Sequence, residues 1–369
     1  MSTLSGFYAS TDSLKGVYYG PGCVATALPK LIRSLGVKKG LIVTGRSLAT
    51  KTNVVNKITD ILKAQDAYAG VFTDFSQHTP IADINACIKA FRDTGADFII
   101  GLGGGSPIDG AKGAMYRIHE QTGVLPPPQI AIPTTLSAAE YTMGAGYTNE
   151  DGEKVAVTHQ LLPPAGVILD AELAMPTPSR LWISSQAGIR ALDHSVESLY
   201  RPSVSHPVKI LCYAAMADLF KYLPISKADP DNVEARQRLL MAAWMSLWPM
   251  KWEKWSAAGL SHALGHRLGA KYNIPHGITS CLTLSPVVAV QARLASEEDK
   301  QYLANSLFYL RESSTGSIDG DILRLSALIA GLVERLELKS TLREYNVPKE
   351  DLVKLAQGDD ALEVLNRIY

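Results

Sequence analysis

Three of the chain's eight histidines fall in one short run, Gly259-Leu-Ser-His262-Ala-Leu-Gly-His266-Arg-Leu-Gly-Ala-Lys-Tyr-Asn-Ile-Pro275-His276-Gly277. An imidazole that is neutral near pH 7 serves both as a divalent-metal ligand and as a proton carrier, so such a run points to metal or acid–base chemistry. His262 and His266 stand four residues apart and, in a helix, share one face a turn apart. His276 follows Asn-Ile-Pro, where the chain must leave the helix and can fold back toward the same place. A fourth candidate, His194, lies in a separate amphipathic run, Ile189-Arg-Ala-Leu-Asp-His-Ser-Val-Glu-Ser-Leu-Tyr200. Any one of these alone is more often a surface or satisfied core residue; the grouping of 262, 266 and 276 carries the functional reading.

The second stretch able to do chemistry is Gly101-Leu-Gly103-Gly104-Gly105-Ser106-Pro107. It follows a strand-like Ala96-Asp-Phe-Ile-Ile100 and precedes a helical Ile108–His119. A strand delivered into glycines and then a helix is a phosphate cradle. The glycines admit a close backbone approach, the helix N-terminus adds donors and positive potential, and Pro107 suits the first helical position. A bare glycine pattern is also how tight turns look, and the strand-before, helix-after context is what favours dinucleotide binding. Thr134, Thr135 and Ser137 place hydroxyls after the next strand, where ligands of such sheets gather. Helix capping is the other reading of those three.

The elements that must position these groups divide the chain. Up to about residue 173, short apolar runs alternate with helical ones: strands at Gly40–Thr44, Tyr68–Thr73, Ala96–Ile100, Gln129–Ile132 and Gly166–Asp170, helices at Val24–Leu35, Ile81–Thr94 and Ile108–His119, and a hairpin turn over Tyr147–Lys154. After Met175-Pro-Thr-Pro178 the pattern turns to long helical periods near 180–200, 206–222, 232–248, 256–270, 280–294, 297–309, 321–335 and 350–365. The expectation is an α/β dinucleotide-binding domain over 1–173 and an all-helical domain over 174–369 carrying the histidines. A length of 369 residues suits two domains.

Lys plus Arg and Asp plus Glu balance at 36 each, so no overall field draws in nucleic acid or an anionic membrane. The four cysteines, Cys23, Cys87, Cys212 and Cys281, show no CxxC pair and fit a reducing compartment. No basic-then-apolar leader and no apolar run of about 18 residues stands out, which gives a cytoplasmic expectation with a small molecule as partner.

With these motifs in view the chain resembles the iron-dependent, or group III, alcohol dehydrogenases, and within them the maleylacetate reductase branch. The resemblance spans nearly the whole chain. It rests on Val17-Tyr-Tyr-Gly-Pro-Gly22, Gly101-Leu-Gly-Gly-Gly-Ser-Pro-Ile-Asp109, Ile132-Pro-Thr-Thr135 with Ser137 and Glu140, the His194 segment, and the spacing from His262 to His276. Gln77-His78-Thr-Pro80 and Ala191-Leu-Asp-His194-Ser-Val-Glu-Ser-Leu-Tyr200 look most like the reductase branch. The resemblance implies a dehydroquinate synthase-like, iron alcohol dehydrogenase architecture: an N-terminal NAD(P)-binding domain, an all-helical C-terminal domain, a cleft between them and commonly a homodimer.

Carried over residue by residue, it implies that His194, His262 and His276 match three metal-ligand positions and His266 a histidine near the nicotinamide. The family's metal-dependent members have Asp four residues before the first ligand histidine; here that residue is Arg190. A guanidinium held about 5 Å from a divalent ion at an effective dielectric near ~20 is repelled by on the order of 6 kcal/mol, enough to empty a modest site. Asp193 is expected to help only if the helix turned by roughly 100°. The reductase branch is described as lacking that Asp and working without metal, which makes Arg190 a carboxylate clamp. The family often has an acid after the strand ending at Thr44, to bond the adenosine ribose; here Gly45 and Arg46 stand there, which should tolerate or favour NADP over NAD.

Trp244, Trp248, Trp252 and Trp255 crowd ahead of the histidine run, as core packing or as an aromatic substrate wall. Together these features describe an NAD(P)H-dependent reductase of a keto-enoate or related carbonyl compound. Its cofactor lies along Gly103, Gly104, Gly105, Ser106, Thr134, Thr135 and Ser137, and its catalytic groups are His78, Arg190, His194, His262, His266 and His276. The alternatives are an iron- or zinc-dependent alcohol dehydrogenase and a redox-silent lyase or cyclase.

Overall fold

A computed structural model describes residues 8–369 apart from 77–78, 180, 183–187, 203 and 248–255, and without the side chains of Lys154 and His276. His78, Trp248, Trp252 and Trp255 therefore lie outside the described residues, as does the His276 side chain. The chain divides into two compact units, one built from Ala9–Thr177 and the other mainly from residues beyond 177.

The first unit runs β1 (Gly16–Tyr19), α1 (Val24–Leu35), β2 (Gly40–Val43), α2 (Arg46–Lys51), α3 (Val54–Ala64), β3 (Tyr68–Phe72), α4 (Ile81–Asp93), β4 (Phe98–Gly103), α5 (Gly105–Thr122), β5 (Gln129–Pro133), β6 (Gly144–Thr148), β7 (Lys154–Thr158), β8 (Gly166–Leu169) and α6 (Ala171–Ala174). Six strands form one parallel sheet in the order β1-β8-β5-β4-β2-β3. The central runs, Gly-Leu-Ile-Val in β2 and Phe-Ile-Ile-Gly-Leu-Gly in β4, are buried at every residue, because helices cover both faces of such a sheet. Side chains alternate between the two cores. Ile42, Ile100 and Leu102 pack with Leu28, Leu31, Ile58 and Leu62 of α1 and α3 on one face. Leu41, Val43 and Ile99 pack with Ile84, Ile88 and Met115 of α4 and α5 on the other.

The strand order reverses between β2 and β4: the chain steps outward from β2 to β3, then returns past β2 to β4 and on through β5 to β8. Ligands of open α/β sheets bind at such a switch point, off the carboxyl ends of the strands. The Tyr147–Lys154 turn closes an antiparallel hairpin of β6 and β7, as its composition suggests. The edge strand β1 carried no strand signal beyond its motif, being four residues long and only half buried.

Two boundaries move at the glycine-rich loop and the histidine run. The helix expected from Ile108 starts at Gly105, so Pro107 is its third residue rather than its first; it still falls in the first turn, where the backbone N–H has no helical partner to lose. The helix expected from residue 280 starts at His276.

The second unit comprises α7 (Gly188–Leu199), α8 (His206–Ala228), α9 (Val233–Ser246), α10 (Leu260–Tyr272), α11 (His276–Leu294), α12 (Glu297–Leu310), α13 (Ile318–Arg335), α14 (Leu352–Ala356) and α15 (Asp359–Arg367). The described residues of this unit contain no strand. Gly277–Leu294 is long and apolar enough to pass for a membrane span, but more than half of it is buried, against α10, α13 and α7, as befits a core helix. Gly265 of α10 lets α11 come close, since a Cβ there would stand 2.7 Å from Thr279 Oγ1.

Candidate active site

The first group of site residues surrounds the turn from β4 into α5. Gly103 adopts φ +133°, a conformation that side chains with a Cβ rarely take, and Gly104 caps α5 with no side chain of its own. A Cβ on Gly104 would stand 3.4 Å from Thr135 Oγ1, and one on Gly105 would stand 3.5 Å from the Ser137 Cβ. The glycines thus keep a bare backbone cradle between the β4 and β5 turns, and the two turns are tied where Thr134 N donates to Gly103 O at 2.8 Å. Thr134 O in turn accepts from Thr177 Oγ1 at 2.8 Å, and Ser106 O accepts from Thr79 Oγ1 at 3.1 Å. Two buried hydroxyls at this place, Thr44 Oγ1 and Ser137 Oγ, have no partner among the described residues. Buried polar atoms are seldom left unpaired, and here they face a helix N-terminus suited to an anion. The cradle fits a dinucleotide diphosphate.

The β5–β6 connection is held beneath by charge that the sequence did not advertise. Lys112 of α5 is fully buried and donates to Thr142 O, Thr142 Oγ1 and Gly144 O at 2.9 Å each, and to Ala139 O. Asp109 accepts from Gly146 N at 3.2 Å. Burial pushes the Glu140 carboxyl up to about 7 and draws Lys112 down to about 8.

On the outer side of the switch point, Gly45 caps α2 and pairs by a backbone bridge with Asp74, just past β3. Arg46, expected to stand ready for a phosphate, donates to Asp74 Oδ1 at 2.8 Å.

The second group belongs wholly to the helical unit. Arg190, Asp193, His194 and Glu197 follow one another at helical spacing along α7 and form one stripe. Asp193, expected to help only if the helix turned, is fully buried and joins the cluster: Oδ2 accepts from Ser280 Oγ at 2.6 Å and Ser261 Oγ at 3.0 Å. The physical reason is simple. Residues three and four apart share a face, so a helix that presents Arg190 and His194 also presents Asp193.

Glu197 performs two tasks. Its oxygens accept from Gly259 N at 2.8 Å and Ser261 N at 2.7 Å, capping α10 from a distance, and Oε2 stands 2.6 Å from His262 Nδ1. Asp193 Oδ1 lies 3.5 Å from the same nitrogen. Burial alone would lower the His262 pKa; Asp193 and then Glu197 outweigh it, against Arg190, and raise it above the ordinary imidazole value. Arg190 is nearly buried, 3.9 Å from Asp193 Oδ2 and 3.4 Å from Ser280 Oγ. His194 stacks on His262 with ring centroids 4.9 Å apart.

The expected set is therefore only partly assembled. Arg190, His194 and His262 come together. His266, a turn beyond His262, is exposed where His262 is buried, because α10 buries His262 with Leu264, Gly265 and Leu268. Trp244 is half buried on α9. Sequence reasoning passed over Glu197, although its spacing of three from His194 was the available signal. Asp193, Glu197 and His262 offer ligand atoms within 4.8 Å of one another, which makes them a possible metal group.

Comparison with known proteins places these units among relatives. Residues 15–171 match the model described as iron-containing alcohol dehydrogenase, and residues 184–366 match that of the Fe-containing alcohol dehydrogenase family, C-terminal. Maleylacetate reductase 1 of Cupriavidus pinatubonensis is 32% identical over 290 residues, covering 77% of this chain and 75% of that protein. The maleylacetate reductase of Rhizobium sp. strain MTP-10005 is 29% identical over 284 residues, 76% and 75% of the two chains. The crystal structure of that enzyme superposes with a TM-score of 0.81 at 25% identity, covering 99% of each chain.

Proposed function

The chain belongs to the iron-containing alcohol dehydrogenase family, in its maleylacetate reductase-like branch, and on that premise we propose that this oxidoreductase uses a reduced nicotinamide dinucleotide to reduce a keto-enoate or related carbonyl carboxylate without a metal ion. The observation that carries the reading is the buried cluster in which Arg190 and His262 stand together beside the Asp193 and Glu197 carboxylates.

A bound nicotinamide supplies a hydride to the electrophilic carbon of the conjugated system. The residues of the chain do the rest. Backbone N–H groups at the start of α5 receive the diphosphate, with the Thr44 and Ser137 hydroxyls beside them. Arg190, whose charge does not titrate in the working range, holds a substrate carboxylate. His262, whose Nδ1 lies 2.6 Å from Glu197 Oε2 and 3.5 Å from Asp193 Oδ1, would donate a hydrogen bond from Nε2–H to the carbonyl oxygen, where negative charge grows as the hydride adds. The alkene pair shifts to form an enolate whose oxygen carries the charge under the His262 hydrogen bond, and the ketone is restored as a histidine or water protonates the carbon beside the carbonyl, so that one hydride and one proton are added in all.

These residues suit a divalent ion poorly. Both Glu197 oxygens already accept backbone N–H groups, Asp193 Oδ2 accepts two hydroxyls, and the Arg190 guanidinium stands 3.9 Å from it. An ion there would have to displace the donors that shape the start of α10 and tolerate a fixed cation. Purified protein, with and without added metal, is expected to oxidise NADH or NADPH, followed by loss of the reduced cofactor's absorbance, on maleylacetate or related enoates; unchanged absorbance with every enoate defeats the proposal.

A second reading, a metal-dependent alcohol dehydrogenase, draws on the Asp193–Glu197–His262 group. Metal analysis of protein purified without chelator decides between them. Stoichiometric iron or zinc, with activity lost on its removal, favours the second reading; less than about a tenth of an equivalent with full activity favours the first.

A further inference from the structure

Arg46 is a cation at the position where the sequence lacks an acid, yet it is not left to a ligand: its guanidinium donates to Asp74 Oδ1 at 2.8 Å. Asp74 is brought there by the sheet. It lies just beyond β3, the outer neighbour of β2, and its backbone bridges to Gly45. The neighbouring strand thus supplies the carboxylate that β2 does not carry at its own end. Both side chains remain open to a ligand, at 76% and 58% exposure for Arg46 and Asp74. Oδ2 of Asp74 takes no hydrogen bond among the described residues, so one acceptor oxygen is left over.

We propose that Asp74, paired with Arg46, selects NADH over NADPH. The inference rests on the reading that the β4–α5 cradle seats a nicotinamide dinucleotide. β2 and β4 flank the switch point, so an extended dinucleotide with its diphosphate on α5 carries its adenosine ribose toward the end of β2. A ribose diol asks for an acceptor, which Asp74 Oδ2 provides. A 2′-phosphate brings between one and two negative charges and must take Arg46 from a carboxylate that stays beside it. The Arg46 charge that sequence reasoning assigned to NADP is therefore largely cancelled, and the phosphate meets the Asp74 carboxylate instead. Neither Gly45 nor α2 offers a second cation within this pair; Lys51 lies at the opposite end of α2.

The test reads binding and needs no substrate. Dissociation constants of NADH and NADPH are measured by fluorescence titration for the wild-type protein, Asp74→Asn, Arg46→Ala and the double variant, with melting curves to confirm folding. The wild type is expected to hold NADH at least tenfold more tightly. Asp74→Asn frees Arg46 and should move the NADPH-to-NADH ratio of dissociation constants at least tenfold toward NADPH. Arg46→Ala exposes Asp74 alone and should move it the other way. The opposite signs separate selection from a mere loss of structure, which would weaken both cofactors together. Equal or tighter binding of NADPH by the wild type, or a shift under twofold in Asp74→Asn, overturns the inference while leaving the cradle intact. Failure of the wild type to bind either dinucleotide overturns the cradle, and this inference with it.

Discussion

Replacing Glu197 by Gln tests the most interconnected side chain of the helical unit, since it changes one charge and almost no volume. The carboxylate is 3% exposed and serves Gly259 N, Ser261 N, His262 Nδ1 and the Tyr200 hydroxyl at 2.8, 2.7, 2.6 and 3.2 Å. An amide can put an acceptor on only one side. If its nitrogen replaces Oε2, Gly259 N–H and His262 Nδ1 face a donor; if it replaces Oε1, Ser261 N–H does. Either way at least one buried donor is stranded, at about 1–3 kcal/mol, and the surviving bonds fall from charge-assisted to neutral strength, at about 1 kcal/mol more. The sum, about 3 kcal/mol, corresponds to a fall of roughly 6–12 °C in the melting temperature of a unit of this size. Catalysis should fall further than folding requires. With the Glu197 carboxylate gone and only Asp193 Oδ1 left, 3.5 Å from Nδ1, kcat is expected to drop roughly 10- to 100-fold, a part of the ~10²–10⁴ that a positioned general acid contributes. Affinity for the dinucleotide should not change, because Glu197 lies in the other unit. Calorimetry, steady-state kinetics and cofactor titration on the same preparation measure all three. A melting point within about 1 °C of wild type together with kcat within twofold would refute the assignment of Glu197 as the residue that positions His262 and α10.

Arg190→Ala should raise KM for a carboxylate substrate roughly 10- to 100-fold, the worth of one charge-assisted contact, with cofactor affinity unchanged; an unaltered KM removes the clamp. Gly104→Asp places a carboxylate against Thr135, 3.4 Å from where its Cβ must go, and adds negative charge at the diphosphate seat, so fluorescence titration should show loss of NADH and NADPH binding in a protein that still melts cooperatively. Burial holds Glu140 at about 7 against about 4.3 in an unfolded chain. The folded state therefore binds the extra proton between those values, and its stability falls as pH rises through that window and stays low above it. Glu140→Gln, which mimics the neutral acid, should melt near the wild type at pH 5 and be the more stable at pH 8, by up to on the order of 3 kcal/mol, the attraction of Lys112 being already contained in the value of about 7. Equal melting points at pH 8 would refute the raised Glu140 pKa.

Much of the positioning was legible along the chain because it is local. A fully buried parallel strand has to be apolar at each residue, so Gly40–Val43 and Gly166–Leu169 announce themselves. A phosphate cradle has to be glycine between strand and helix, so Gly103–Ser106 does too. Helical periodicity likewise marks α7 and α10 as amphipathic or core elements, and with the family resemblance it brings Arg190 and His194 into one discussion with His262.

What only the tertiary structure decided is which groups from distant elements meet. No spacing rule ties Glu197 to the N–H groups of Gly259 and Ser261, more than sixty residues on, nor Asp74 to Arg46 across two strands. Helical spacing alone made His266 the equal of His262, but packing buried one and left the other exposed, because a face is defined by what covers it. The residue types are a property of the chain; their charge states and partners are set by burial and by neighbours that the fold supplies. In this protein that difference turns a run of histidines and an unexpected arginine into a buried cluster of Arg190, His194 and His262 beside two carboxylates.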